Sequence, residues 1–261
     1  MGELLSVHVD GIRFRGFADA RTEGFYVGED GLEGWEDGVD ARRDAIPRPR
    51  GHGDFDLPSY LAPRDISLTG FCVARNIREL AWMRSRLMGL LAEGSATISV
   101  DYQGLTTSAT VRRGLTRPSF DSVGGELVGT FALSFWAPDP RRYGQVNLAG
   151  PEVTSVAAYH YGNFAALPII EVHGYNASGG YTIFGPNGKK FIVTQGLFGN
   201  DVHRIDMRTG KLTKNGVLQI GAVSRADLWT VPPGVTVAHK IVNESSAADT
   251  NIRVYTTDTY I

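Results

Sequence analysis

Residues 185–190 are the nearest approach to a phosphate-binding loop in this sequence. They read Gly-Pro-Asn-Gly-Lys-Lys, which combines glycines with lysine, the residue types that hold phosphate through backbone amides and an ammonium group. The first glycine has the wrong spacing, and the hydroxyl residue that would hold magnesium is missing. The Asn187-Gly188 pair instead favours a type I′ hairpin turn. We therefore expect a turn here and no nucleotide site.

Other catalytic patterns are missing as well. The sequence contains no Gly-x-Ser-x-Gly elbow and no His-Glu-x-x-His pair. A carboxylate pair for glycoside hydrolysis stays open, because the fold and not local spacing would bring its members together. Six histidines occur singly, without the spacing of metal ligands: His8, His52, His160, His173, His203 and His239. We predict no catalytic residue, no metal and no cofactor.

Aromatic side chains in the second half of the chain offer a different chemistry, stacking on a sugar ring. The same residue types fill the core and rim of a β-sandwich, and we favour that interpretation. A carbohydrate-binding module remains an alternative function, and a cell-wall hydrolase is a weaker one. The residues concerned are Tyr159, Tyr161, Tyr175, Tyr181, Trp229 and Tyr255.

Composition excludes several classes of protein. The formal net charge of -2 over 261 residues gives no general attraction to nucleic acid or to an anionic membrane. Cys72 is the single cysteine, so an intrachain disulfide is impossible, and its neighbours Phe71 and Val73 indicate a buried thiol. No secretory signal and no apolar run of the roughly 20 residues that cross a bilayer are visible. We expect folding in a cytoplasm.

Two domains are predicted, 1–147 and 148–261. All five lysines lie beyond Val146, and the stretch WAPDPRRYGQVNLAGPE, with three prolines, is a poor interior for a helix or a central strand. In the first domain, alternation predicts strands at 5–9, 13–17, 66–73, 96–102, 105–112 and 127–135, with a tight turn at Gln103-Gly104. One amphipathic helix over about 77–93, capped by Asn76 and ended by Gly94, must pack on a sheet.

The sequence of the second domain predicts β-strands and almost no helix. Turn chemistry at Asn187-Gly188, Asn215-Gly216 and 232–234 separates short strands, which indicates an antiparallel sandwich or barrel. Within 252–257 the apolar residues alternate, so one face of that strand is buried. The predicted strands are 169–172, 181–184, 190–194, 202–206, 217–219, 228–231, 235–242 and 252–257.

The most unusual segment is 24–56. It is rich in acidic residues and glycine, contains two prolines and has few large apolar residues, so it cannot make a core of its own. One interpretation is a disordered surface loop. The other is a long loop that becomes ordered against a neighbouring subunit or lines a lumen, with Trp35 and Phe55 as anchors. The candidate residues are Glu29, Asp30, Glu33, Trp35, Glu36, Asp37, Arg42, Arg43, His52 and Phe55.

Five motifs follow one another along nearly the whole chain. They are Gly34-Trp35 with His52-Gly53-Asp54-Phe55, the strand RDISLTG at 64–70, APDPRRYG at 137–144, YGNFAALP at 161–168 with Val172-His173-Gly174, and LWTVPPG at 228–234. Each motif is weak alone, but their ordered succession resembles the distal tail proteins of siphophages, particularly those of actinobacterial phages. In that family a glycine often follows the asparagine of the fourth motif, where this chain has Phe164.

The resemblance implies a mainly β protein of the virion and no enzyme. The first domain would be a tail-tube-like β-sandwich or split barrel with one packed α-helix, and the second a galectin-like antiparallel β-sandwich. Six copies would form a ring at the distal tip of a long non-contractile tail, joining the tail-tube protein to the tail hub and leaving a channel for genomic DNA. Receptor-binding proteins are further partners, and no membrane is involved. Assembly would take place in the host bacterial cytoplasm.

General rules of subunit assembly are consistent with such a ring. Six-fold closure uses two different complementary surfaces on each subunit. Open edges of a split barrel can pair between subunits, and part of the acidic set can face the lumen or an interface.

Overall fold

The computed structural model describes residues 5–17, 22–122, 127–177 and 179–261. The chain divides into two compact units: the first unit ends at Arg142 and includes Ile261, and the second unit is Tyr143–Tyr260.

The elements of the first unit are β1 (Leu5–Val9), β2 (Ile12–Arg15), β3 (Gly24–Glu33), β4 (Ala41–Arg42), β5 (Tyr60–Leu61), β6 (Arg64–Val73), α1 (Ile77–Gly89), β7 (Ala96–Tyr102), β8 (Leu105–Arg113), β9 (Ser119–Ser122) and β10 (Val128–Ala137). Those of the second unit are β11 (Arg142–Glu152), β12 (Ser155–Ala158), β13 (Ile169–Tyr175), β14 (Tyr181–Phe184), a 3₁₀ turn (Pro186–Gly188), β15 (Lys190–Val193), β16 (Val202–Asp206), β17 (Lys211–Lys214), β18 (Val217–Leu218), β19 (Val223–Ala226), β20 (Val237–Asn243) and β21 (Asp249–Tyr260).

The first unit is a closed barrel of seven strands in the order β8-β7-β1-β2-β3-β6-β10, with β10 pairing back onto β8. Asp10 and Gly11 both adopt positive φ and make the tight turn between β1 and β2, while β7 occupies the other side of β1. Large side chains such as Phe14, Leu68 and Phe135 are buried in its core. The resemblance implied a β-sandwich or split barrel, whereas β10 closes this barrel onto β8 through Phe135 and Trp136. Beside that closure β9 pairs with β10 and forms an edge of the described sheet.

Helix α1 packs on β6, β9 and β10, as an amphipathic helix must. Asn76 caps it, because its side chain accepts a hydrogen bond of 2.9 Å from the backbone N–H of Glu79. The helix ends at Gly89 and not at residue 93, because Leu90 leaves the helical conformation, with φ -58° and ψ 124°, and Leu91 has a positive φ. Both side chains are buried in the core. Leu80, Met83 and Leu87 form its buried stripe.

The second unit is a sandwich of two antiparallel sheets. One has the order β18-β17-β16-β13-β21-β11 and the other β12-β20-β14-β15-β19. Ile170 and Val254 from the first sheet share a core with Ile183 and Ile241 from the second. In β21 buried residues alternate along most of the strand, as predicted.

The tight turns predicted from sequence are confirmed. Both residues of Gln103-Gly104, Asn187-Gly188 and Asn215-Gly216 have positive φ, the conformation that the type I′ turn requires.

Two predictions for the second half are wrong. The Pro/Gly-rich stretch contains β11, which pairs with β21, because Pro138 and Pro140 precede the strand and Pro151 lies next to its last residue. Residues 228–231 are not a strand: only Val231 makes a bridge, to Ala166, before the chain turns at the prolines.

Candidate functional site: an acidic groove and a hairpin arm

Arg64, the first residue of β6, fixes the turn that follows β3. Its Nη1 donates hydrogen bonds to the carbonyl oxygens of Gly34, Trp35 and Asp37 at 2.6, 3.0 and 2.8 Å, and its Nε donates to that of Pro140 at 3.1 Å. Burial lowers the pKa of Arg64. The sequence placed this arginine in a motif without giving it a role. The signal available was a cation at the start of a strand, in register with the alternate apolar residues Ile66 and Leu68.

Trp35 lies inside the barrel of its own chain, where it is fully buried. Its Nε1 donates to Thr107 Oγ1 at 3.2 Å, and the Arg142 guanidinium lies 5.8 Å from the centre of its ring. Arg142 Nη1 is also 2.6 Å from Glu36 Oε1. The expectation that Trp35 anchors a neighbouring subunit is therefore wrong, because no part of this side chain is available to another molecule.

The five acidic residues predicted for an interface or lumen line one groove, which we call the acidic groove: Glu29, Asp30, Glu33, Glu36 and Asp37. It has a volume of about 380 Å³, and Leu5, Leu32 and Tyr102 contribute apolar walls. All five carboxylates are exposed. Within the described part of the chain, Glu29, Asp30 and Glu33 have no ion-pair partner, so the groove is negatively charged.

A bulge in β3 presents the first two of these carboxylates. The register of β3 against β6 shifts between Val27 and Leu32. Gly31 is needed there, because a Cβ atom at this position would lie 2.2 Å from the carbonyl oxygen of Thr69. The extra residues loop outward, so Glu29 and Asp30 face solvent.

Residues 40–62 form a hairpin arm. The short strands β4 and β5 pair at its base, where Ala62 N–H donates to Asp40 O at 2.8 Å, and Phe55 N–H donates to Ile46 O at 3.0 Å nearer its tip. Nearly every residue of the arm is exposed, including Phe55 at 51% and Tyr60 at 65%. The predicted residues Arg42, Arg43, His52 and Phe55 all lie on it.

The structure thus separates the ten predicted residues into three places. Trp35 is in the core, the five carboxylates line the acidic groove, and the other four project from the arm. The segment 24–56 is a strand, a turn and a hairpin and not one irregular loop, and its first part belongs to the barrel core.

The aromatic residues of the second unit do not form one sugar platform. Tyr181 and Trp229 are buried, as expected for residues that fill the core. Tyr181 forms a hydrogen bond with His203, and Trp229 forms one with His239. Tyr161 is exposed and packs edge-on against Tyr159.

Within the described ranges, no group of three or more His, Cys, Asp or Glu side chains is arranged to hold a metal ion. No helix in the described part of the chain is long and apolar enough to span a membrane. Cys72 is fully buried, and burial raises the pKa of its thiol.

No protein-family model and no curated protein matches this chain. Among solved structures, the chain is similar to the phage SPP1 Dit (gp 19.1) protein, described as a paradigm of the hub adsorption apparatus in phages that infect Gram-positive bacteria. The TM-score is 0.76 at 15% sequence identity, over 99% of this chain and 100% of that one.

A weaker similarity is to the phage P2 baseplate in its activated conformation with Ca, with a TM-score of 0.49 and 7% identity over 99% of this chain and 98% of that one. The resemblance to distal tail proteins drawn from the sequence motifs is thus confirmed at the level of the fold: the chain has the fold of the SPP1 Dit protein along its whole length.

Proposed function

We propose that this chain is a structural protein of a phage tail tip. The observation that carries the proposal is the similarity of its fold to the SPP1 Dit protein across the full length of both chains. The order of the sequence motifs, from Gly34-Trp35 to the turn at 232–234, supports the same conclusion from the sequence alone. Its role is mechanical, and no catalytic residue is assigned.

The proposed assembly is a homohexameric ring at the distal end of a long non-contractile tail. The ring joins the tail-tube protein to the tail hub and leaves a lumen through which genomic DNA passes. Receptor-binding proteins are proposed further partners. Each subunit of such a ring needs complementary surfaces toward its two neighbours, and the exposed features of the first unit include the acidic groove and the hairpin arm.

The hairpin arm is the proposed contact with a neighbouring subunit. It exposes Ile46, Phe55 and Tyr60, three large apolar side chains that its own core leaves uncovered. Burying such side chains between subunits is favourable by roughly 25 cal/mol per Å² of apolar surface. Arg42, Arg43 and His52 supply polar contacts around them.

The first unit would serve as the ring-forming, tail-tube-like domain, and the second as a galectin-type sandwich. We propose the virion tip as its location, with assembly in the host cytoplasm. Sugar binding by the second unit is the alternative function, but the burial of Tyr181 and Trp229 leaves fewer aromatic faces for it.

Native mass spectrometry and electron microscopy of the purified protein test the proposal. We expect a six-fold ring with a central hole. A monomer that binds host cell-wall glycan would favour the carbohydrate-binding module instead. Clearing of a cell-wall suspension would contradict the structural role and indicate a hydrolase.

A further inference from the structure

The outer face of α1 is basic and carries two exposed apolar residues. Ile77 is 78% exposed and Trp82 is 55% exposed, and the Arg86 guanidinium lies 5.3 Å from the centre of the Trp82 ring. Arg78 and Arg84 are exposed on the same helix, and neither side chain has a hydrogen bond or ion pair with any residue that the structure describes. We call this surface, residues 77–86 on the solvent side, the helix face.

The helix face and the acidic groove lie at opposite ends of the barrel strands. At one end of β1, Leu5 lines the acidic groove. Beyond the other end of β1, the carbonyl oxygen of Gly11 accepts a 2.8 Å hydrogen bond from Arg86 of the helix. Likewise β6 begins at Arg64, which holds the turn of the acidic groove, and ends at Val73, just before the helix.

From this arrangement we propose that the helix face of one copy binds the acidic groove of the next copy, so that α1 provides the second half of a head-to-tail interface. The proposal rests on the ring assembly proposed above and names the surfaces that make it. Contacts of this kind are heterologous, because each copy uses a different surface toward each neighbour.

Charge and shape both support the helix face of a second copy as the partner of the acidic groove. Arg78 and Arg84 have no partner among the described residues of their own chain, and the groove presents unpaired Glu29, Asp30 and Glu33. The apolar walls of the groove match the exposed Trp82, a residue type that often provides the buried anchor of an interface. Tryptophan beside arginine is also a common composition of binding hot spots.

Paired charge reversals test the proposal in the full-length protein. Arg78→Glu with Arg84→Glu, or Glu29→Arg with Glu33→Arg, places like charges opposite each other. We expect each pair to raise the concentration needed for half-assembly at least about tenfold by analytical ultracentrifugation. All four substitutions together restore opposite charges and should return assembly toward the wild-type value.

The matched control for the helix pair is Lys211→Glu with Lys240→Glu, which changes the net charge by the same amount as Arg78→Glu with Arg84→Glu, at exposed positions of the second unit. It should assemble like the wild type. Circular dichroism verifies that each variant is folded.

Two results overturn the inference and differ in what they say of the proposed function. If the wild type forms rings and the reversals leave assembly unchanged, or the fourfold variant assembles no better than either pair, the helix face is not the contact, while the ring stands. If the wild type stays monomeric at every concentration, both proposals fail.

Discussion

Two histidines of the second unit are held neutral inside the sandwich. His239 Nε2 accepts a 3.0 Å hydrogen bond from Trp229 Nε1, so its proton is on Nδ1, which points to Val237 O at 3.1 Å. His203 Nδ1 lies 3.0 Å from the hydroxyl of Tyr181. Burial lowers the pKa of His203 and of His239 to about 4, because an imidazolium there would lose its hydration.

This burial predicts a loss of stability in mild acid. The pKa of each folded histidine lies below the ordinary value of 6.5, so the unfolded chain takes up protons first as the pH falls from 6.5 toward 4. Above pH 6.5 the histidines are mostly neutral in both the folded and the unfolded chain, so this loss of stability is absent. Between pH 7.5 and 5.0 each histidine should reduce the free energy of unfolding by about 2 kcal/mol, measured by urea unfolding with tryptophan fluorescence.

His239→Gln should remove about half of that pH dependence. His52→Gln, on the exposed arm, is the matched control and should leave it unchanged. Equal pH dependence in the wild type and in His239→Gln would show that this histidine does not carry it.

Arg64 is the residue on which the shape of the acidic groove depends. Arg64→Lys keeps the charge but has a shorter side chain and no Nε–H, so it loses the hydrogen bond to Pro140 O and holds the carbonyls of the turn less well. We expect a loss of about 2–3 kcal/mol in the free energy of unfolding, since carbonyls that are buried or partly buried lose their charged donor. Arg117→Lys, at an exposed arginine, should change it by less than about 0.5 kcal/mol. Equal stabilities of the two variants would contradict this role.

At the scale of elements, the contact between β3 and β6 depends on a missing side chain. A Cβ atom on Gly70 would lie 1.9 Å from the carbonyl oxygen of Tyr26. The two strands approach closely there, and the aromatic ring of Phe131 covers the same position at 3.0 Å. A substitution must therefore push the strands apart.

Gly70→Ala is expected to lower the free energy of unfolding by about 2–3 kcal/mol, through overpacking of a rigid core. The matched control is Gly89→Ala, where nothing lies within 4 Å and the helix ends. Alanine there should be neutral or stabilising by up to about 1 kcal/mol. Thermal unfolding of both variants is the measurement, and a Gly70→Ala protein as stable as the wild type would show that the strands separate at no cost.

Elements with strong local signals could be predicted from the sequence. The alternation in β1, β7, β14 and β16 gave their bounds, and Asn76 gave the start of α1. Strands without alternation were missed. In β3 the glycines and acidic residues of a bulge mask the pattern, and β19 has almost no buried residues. Barrel closure is not encoded locally, because it depends on β10 meeting β8 across the unit.

The candidate site was predictable in composition but not in layout. The acidic residues stood out because they cluster in one segment, and the structure does bring five of them into one groove. Trp35 was misassigned, because a tryptophan flanked by Gly34 and Glu36 has no local pattern that indicates burial. Its burial follows from Thr107 and Arg142, both distant in sequence.

At the scale of the whole molecule, the hairpin arm should matter for assembly and not for folding. Its interior, 45–57, makes backbone hydrogen bonds within the arm, and nearly all of it is exposed. Replacing these residues by a short Gly-Ser turn should shift Tm by less than about 3 °C, because little buried surface is lost. The fraction of hexamer in native mass spectrometry should fall sharply.

A milder variant distinguishes the effect of losing the apolar side chains from the effect of shortening the arm. Ile46→Ser with Phe55→Ser keeps the hairpin but removes two exposed apolar side chains, and should weaken assembly in the same direction. Exposed Leu115→Ser is the control. Rings that persist without the arm would mean that other surfaces hold the subunits together.

The closed barrel has a consequence for how a finished particle responds to its medium. Because β10 returns to β8, another copy cannot insert a strand at that closure, and the contacts proposed for the helix face and the acidic groove are made by side chains. Contacts between opposite charges weaken as the Debye length shortens, to about 3 Å in 1 M salt. Concentrated salt would therefore weaken the charged contact between the helix face and the acidic groove but not the apolar contact proposed for the hairpin arm. Folded subunits that separate in about 1 M salt and reassemble on dialysis would show that the charged contact dominates.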